Sequence, residues 1–149
     1  EALWVPPLFG LAAVSFVRLW QPLRSSADRK PSLARVLAAL AVFAAAYAVT
    51  GLAGDSALFV WGVLLPAWVA SIAGAGWRRR AIYGIAVAAV GTAFESALCW
   101  VGGFHYLVPT SLRVPLWLPA LYLHASLLLR QLDLAFFAPA ATAQEGVRA

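Results

Sequence analysis

The sequence predicts an all-α fold, a polytopic transmembrane helix bundle forming one domain over residues 1–149. Three observations lead there. Five apolar stretches, at about 3–20, 33–50, 57–75, 81–104 and 114–132, fill most of the chain. Each is close to the ~20 residues that a helix needs to cross the hydrocarbon core. The chain is 63% hydrophobic and only 11% charged, so little is left to face water. The stretches are apolar nearly all round, where the helices of a soluble bundle would keep a polar face. Residues 38–48, for example, carry no charge and one hydroxyl, Tyr47. Spans in lipid are helices or closed barrels, and stretches this long without period-two alternation exclude the barrel.

Pro6 and Pro7 suit the first turn of the first span, where a missing N–H costs little. Residues 21–32 are polar with prolines near both ends and read as a loop. Gly51, Gly54 and Asp55 read as a tight turn into the third span. Pro66 is expected to kink that span and Pro119 to kink the last. The run Arg78-Arg79-Arg80 reads as the third connection. Gly102, Gly103, Pro109 and Pro115 make the fourth connection the most irregular. The C-terminal tail, 133–149, begins apolar at Leu134, Phe136 and Phe137 and is expected to lie on the surface or fray. Trp4, Trp20, Trp61, Trp77, Trp100 and Trp117 sit mostly near span ends, as an aromatic belt would.

The net charge of +5 does not point to nucleic acid, because of where the charges lie. Arg18, Arg24, Arg29, Lys30 and Arg35 surround the first connection, Arg78–Arg80 the third, and Arg130 follows the last span. The second connection has only Asp55, and the fourth only Arg113 and His105. This alternation follows the positive-inside rule. It puts the first and third connections and the C-terminus in the cytoplasm, and Glu1 outside. Arg exceeds Lys and Ala is abundant, which suggests a high-GC bacterium and its plasma membrane. The chain begins without Met, and an N-terminal piece is expected to be missing.

Little in the spans suggests catalysis. The single cysteine, Cys99, makes no internal disulfide, and no metal-ligand spacing occurs. His105 and His124 are scattered, and hydrogen bonding to backbone or lipid accounts for them better than acid–base work. No cofactor or metal is expected, and the chain reads as a non-enzyme. Glu95 is the one carboxylate well inside a span, where a charge is costly. It should be protonated, paired or facing a polar cavity. Tyr122 lies at a similar depth in the next span and can donate to it, while Thr92 and Cys99 share its helix face. Glu95 can be a polar anchor for a lipid headgroup or hydroxyl, or a hydrogen-bonded structural residue. Small residues recur at near-helical spacing at Ala41, Ala45 and Ala48, and at Gly84, Ala88 and Gly91. Such faces either pack helices closely or leave a gap that a lipid fills.

Two blocks carry a family resemblance. The first span opens Trp4-Val5-Pro6-Pro7, with Gly10 and Ala12-Ala13-Val14 following. The last connection has Gly102, Tyr106, Pro109 and Val114, then Trp117-Leu118-Pro119 and Arg130-Gln131-Leu132. In order and spacing these resemble the Insig (insulin-induced gene) family, and the composition would suit an actinobacterial homologue. The resemblance implies six helices with both termini cytosolic, so a further span is expected before Glu1. It also implies a membrane receptor that holds a sterol among its helices. The family's Asp-Arg-Ser-Arg loop corresponds here to Gly76-Trp77-Arg78-Arg79-Arg80, and a family glutamine associated with sterol binding falls at Phe59. A diacyl lipid is therefore as suitable an occupant as a sterol. The expected cavity residues are Phe9, Phe16, Phe43, Tyr47, Phe59, Gly91, Glu95 and Tyr122. The expected partner is a membrane lipid or sterol. A homo-oligomer, trimer or dimer, remains open, as do a helix-contact scaffold and a small lipid carrier.

The charge pattern generates a direct test. In a Cys99-free background, Arg29→Cys should resist an impermeant thiol reagent applied outside intact cells and react after permeabilisation. Labelling in intact cells would reverse the orientation.

Overall fold

The computed structural model describes residues 14–17, 28–107, 109–110 and 112–137. Among these residues every regular element is helical. Of the first expected span, 14–17 is described and is helical. Four helices follow: α1, Leu33–Ala53; α2, Ala57–Ile72; α3, Trp77–Trp100; and α4, Leu118–Phe137. Among the described residues, α1 and α3 are each long and apolar enough to cross a membrane, and α2 is a shorter apolar helix.

The helix starts follow from local chemistry. The Ser32 hydroxyl accepts from the Arg35 N–H at the start of α1, and the Ser56 hydroxyl accepts from Phe59 at the start of α2. These are the N-cap bonds that satisfy otherwise orphaned donors. α3 starts differently: Gly76, at φ 76°, offers no side-chain cap. Gly74 and Gly76 both have positive φ, and the turn from α2 to α3 needs residues that adopt it readily.

Several expected boundaries move. Arg78–Arg80 do not form a connection; they belong to the opening turn of α3, and the turn itself is residues 73–76. The fourth span is therefore 77–100 rather than 81–104. Pro119 does not kink the last span. It occupies the first turn of α4, where its fixed φ is suited and its missing N–H is no loss. Residues 114–117 thus precede the helix, with Val114 and Pro115 buried. The tail does not begin at 133, because α4 continues to Phe137 and buries Asp133 and Leu134. Pro66 lies inside α2, which runs on through it.

α4 is the hub of the bundle, packing against α1, α2 and α3. Its apolar residues Ala120 and Leu121 meet Ala46 of α1 with Val60 and Leu64 of α2. Further along, Leu123 joins Trp68 and Ile72 of α2 and Ala88 of α3. Gly84 of α3 allows this approach: a Cβ there would run into the Trp68 ring and lie 3.1 Å from the Ser126 hydroxyl. Two indoles lock the end near 54 and 117. Trp117 donates to the Gly54 carbonyl and Trp61 to the Leu116 carbonyl, each at 3.0 Å. At the opposite end, Arg130 of α4 pairs with Asp28 at 2.7 Å.

The outside of this bundle is apolar. Leu52, Leu58 and Ile85 are 89%, 88% and 60% exposed, and Leu37, Phe59, Val69 and Val90 are also exposed. Exposed large apolar residues on several helices are what a bundle surrounded by lipid or by a partner would present.

Candidate functional site

The site is built around Glu95. A carboxyl only 6% exposed in an apolar bundle needs donors. It has two. Tyr122 of α4 donates to Oε1 at 2.5 Å, and Tyr106 of the 101–117 connection donates to Oε2. The Tyr122–Glu95 pair is the one expected from their matching depths. Tyr106 was not among the expected site residues; it sits in an irregular connection, where no periodicity indicates which way a side chain points. The only sequence signal was its place in the Gly102–Tyr106–Pro109 block.

The connection is pinned over the carboxyl by several local bonds. Ser96 donates to the Leu112 carbonyl at 2.6 Å, and Thr110 to the Val114 carbonyl at 2.7 Å. The Arg113 guanidinium lies 4.2 Å from the Trp100 ring centroid, with Arg113 itself at φ 61°, unusual for a residue with a side chain. Tyr106 meets Phe104 and Trp117 edge-on, at ring separations of 5.6 and 6.3 Å. Burial, and after it the adjacent Glu95 carboxyl, pushes the Tyr106 phenol well above its ordinary pKa. Tyr106 therefore keeps its proton and remains a donor throughout the physiological range.

Beside this polar knot is a cavity of about 550 Å³. α1 supplies Phe43, Tyr47, Thr50 and Gly51; α4 supplies Leu118, Leu121, Tyr122 and Ala125. Phe104, Tyr106 and Trp117 cover the end near the connection, and Glu95 reaches it from α3. The size falls within the ~300–1,000 Å³ of small-molecule pockets. The walls are mainly aliphatic and aromatic, with the polar cluster around Glu95 at one end. Thr50 donates to the Tyr47 carbonyl at 2.7 Å, so its hydroxyl oxygen can still accept. The arrangement suits an elongated apolar molecule with one oxygen-bearing end.

Of the expected cavity residues, Phe43, Tyr47, Glu95 and Tyr122 do line it. Gly91 has a different place: a Cβ there would lie 2.5 Å from the Tyr122 ring, so this glycine seats the tyrosine that reaches Glu95. Phe59 is 55% exposed on the outside of α2 and does not line the cavity. Phe16 is partly buried in the 14–17 segment and is not a lining residue. Phe9 lies outside the described residues. His105 is exposed, whereas His124 is buried, its Nε2 2.9 Å from the Leu64 carbonyl. Cys99 is buried one turn from Glu95. Among the described residues no three His, Cys, Asp or Glu side chains gather as a metal set.

The chain matches no family model, no curated protein and no solved structure.

The knot predicts an asymmetric set of mutational effects. Glu95→Ala should destabilise the protein by roughly 2–4 kcal/mol, because two buried phenols lose their acceptor. Tyr122→Phe should cost only about 1 kcal/mol, since Tyr106 still serves the carboxyl. Denaturant unfolding in detergent measures both. Near-neutral Glu95→Ala would show that the knot contributes nothing to the fold.

Proposed function

We propose that this chain is an integral-membrane, non-catalytic lipid-binding protein of the Insig kind, a polytopic bundle holding a sterol-like or diacyl lipid between α1 and α4. One observation carries the reading: the cavity is walled mainly by apolar and aromatic side chains, with a hydrogen-bonded polar cluster where Glu95, Tyr106 and Tyr122 meet and the Thr50 and Tyr47 hydroxyls on α1. A sterol hydroxyl, or the free hydroxyl and ester oxygens of a diacyl lipid, finds hydrogen-bonding groups at that cluster. The fused rings or acyl chains find dispersion contacts along Phe43 and Leu121, contacts that an empty gap lacks.

The surroundings support a membrane setting. The exposed apolar residues of α1, α2 and α3 are suited to acyl chains. The described basic residues gather mainly at one end, where Asp28, Arg79, Arg80 and Arg130 share a pocket. The other end carries Asp55 and Arg113. By the positive-inside rule the arginine-rich end faces the cytoplasm, in a bacterial plasma membrane if the composition reflects the source. The sensor role rests on the Insig-like blocks, Trp4-Val5-Pro6-Pro7 in the first span and Tyr106, Trp117-Leu118-Pro119 and Arg130-Gln131-Leu132 in the last part of the chain.

Gly51 provides the test. It lines the cavity, and a Cβ placed there meets nothing within 4 Å. Gly51→Phe should fill the cavity without disturbing the helices. Lipid co-purifying with the gently extracted protein should fall by about tenfold, equivalent to ~1.4 kcal/mol of affinity. Leu58→Phe, on the outer surface, is the matched control. Equal lipid retention in both variants, with both folded, would favour a scaffold acting through helix contacts.

A further inference from the structure

We propose that a second site, at the arginine-rich end of the bundle, binds a phosphodiester: the headgroup phosphate of an anionic lipid in the adjoining leaflet. The site is a cavity of about 190 Å³, separate from the one beside Glu95. A water occupies about 30 Å³ of liquid, so the space takes a phosphate group while the lipid's chains lie outside along the apolar exterior. Two of its lining side chains, Tyr83 and Asp133, are 8% and 6% exposed, so the pocket enters the bundle and is not a surface dimple.

Charge selects the ligand. Among the described residues, Arg79, Arg80 and Arg130 line the cavity with Asp28 and Asp133, leaving one positive charge in excess. The acids gather on the α4 side. Asp28 pairs with Arg130 at 2.7 Å, and Asp133 lies three residues beyond Arg130, on the same helix face. The excess therefore sits at the start of α3. Arg80 uses Nη2 on the Ala73 and Ala75 carbonyls, at 3.3 and 2.6 Å, and its other N–H groups stay available. Arg79 pairs with no carboxylate among the described residues.

The position of these arginines is itself unfavourable. Cations are disfavoured at a helix N-terminus, where the dipole is positive. α3 has no acidic residue in its first turn and no side-chain cap. The positive-inside rule explains why basic residues occupy this end, but not why they line a cavity. Arg78 shows the contrast: its guanidinium lies 5.7 Å from the Trp77 ring centroid and is not part of the lining. A singly charged phosphate ester would neutralise the excess and accept from the fork-shaped guanidinium groups. Basic pockets at the cytoplasmic ends of membrane helices hold lipid headgroups by this chemistry.

The membrane source of the phosphate rests on the bundle reading above, but the cavity lipid does not enter the argument. The experiment uses the full chain, delipidated in detergent, with native mass spectrometry after adding phosphatidylglycerol or phosphatidylcholine of matched chains. Phosphatidylglycerol should be retained in preference. Arg79→Gln should reduce its retention by about fivefold, with phosphatidylcholine unchanged. Arg79 is chosen because Arg80 also holds backbone carbonyls and its loss risks the fold. Lys30→Gln and Arg78→Gln, outside the cavity, should keep the preference. Inorganic phosphate separates the sources. Failure of millimolar phosphate to displace the lipid supports the headgroup. Displacement, together with thermal stabilisation by phosphate alone, overturns the lipid source and assigns the site to soluble phosphate. Equal retention of the two lipids, or an Arg79→Gln effect no larger than that of Lys30→Gln, overturns the site.

Discussion

The structure depends on satisfying one buried carboxyl. Glu95 lies on α3 among apolar neighbours, and leaving it without donors would cost several kcal/mol. Tyr122 reaches it from α4, and Tyr106 from the connection between those helices. This arrangement determines much else. It sets the register of α3 against α4, because the Tyr122 ring can reach the carboxyl only where Gly91 leaves room. It also draws the 101–117 connection onto the bundle, where Phe104, Tyr106 and Trp117 cover one end of the cavity. The cavity is thus a consequence of how a polar group was accommodated in an apolar interior.

The bundle separates two chemistries by distance along its helices. At one end, indole N–H groups and phenols meet backbone carbonyls and a single carboxyl, and the space between α1 and α4 is mainly apolar. At the other, guanidinium groups and carboxylates line a smaller cavity together with apolar side chains such as Ile82 and Leu134. A lipid has the same division, an apolar body and a charged or hydroxylated head. The apolar exterior between the ends leaves the long axes of α1 and α3 suited to the ~30 Å of a hydrocarbon core.

Much of this was legible in the sequence where the rule is periodic or compositional. The helix starts at 33 and 57 follow from the apolar runs that begin there, whereas α3 starts at 77, four residues before the expected 81. The Glu95–Tyr122 contact followed from equal depth in neighbouring spans. What escaped was set by tertiary contact or by helix ends. Arg78–Arg80 look like a loop when charge is equated with solvent, yet they form the opening turn of α3, where long side chains can carry their charged heads away from an apolar surface. Pro119 looked like a kink because the start of α4 could not be placed without the preceding turn. Phe59 and Phe43 are alike in sequence; only the rotation of their helices sends one outward and the other into the cavity. Asp133 reads as the first residue of the tail, but α4 carries it into the bundle beside Arg130.

The central claim is that the space between α1 and α4 belongs to a lipid. Photocrosslinking in vesicles tests it most directly, using a sterol and a diacylglycerol that each carry a diazirine in the apolar body, followed by peptide mapping. The account predicts labelling concentrated on residues 43–51 of α1 and 118–125 of α4, suppressed by excess unlabelled lipid. Labelling spread over outward positions such as Leu52, Leu58 and Phe59, and insensitive to competitor, would contradict it.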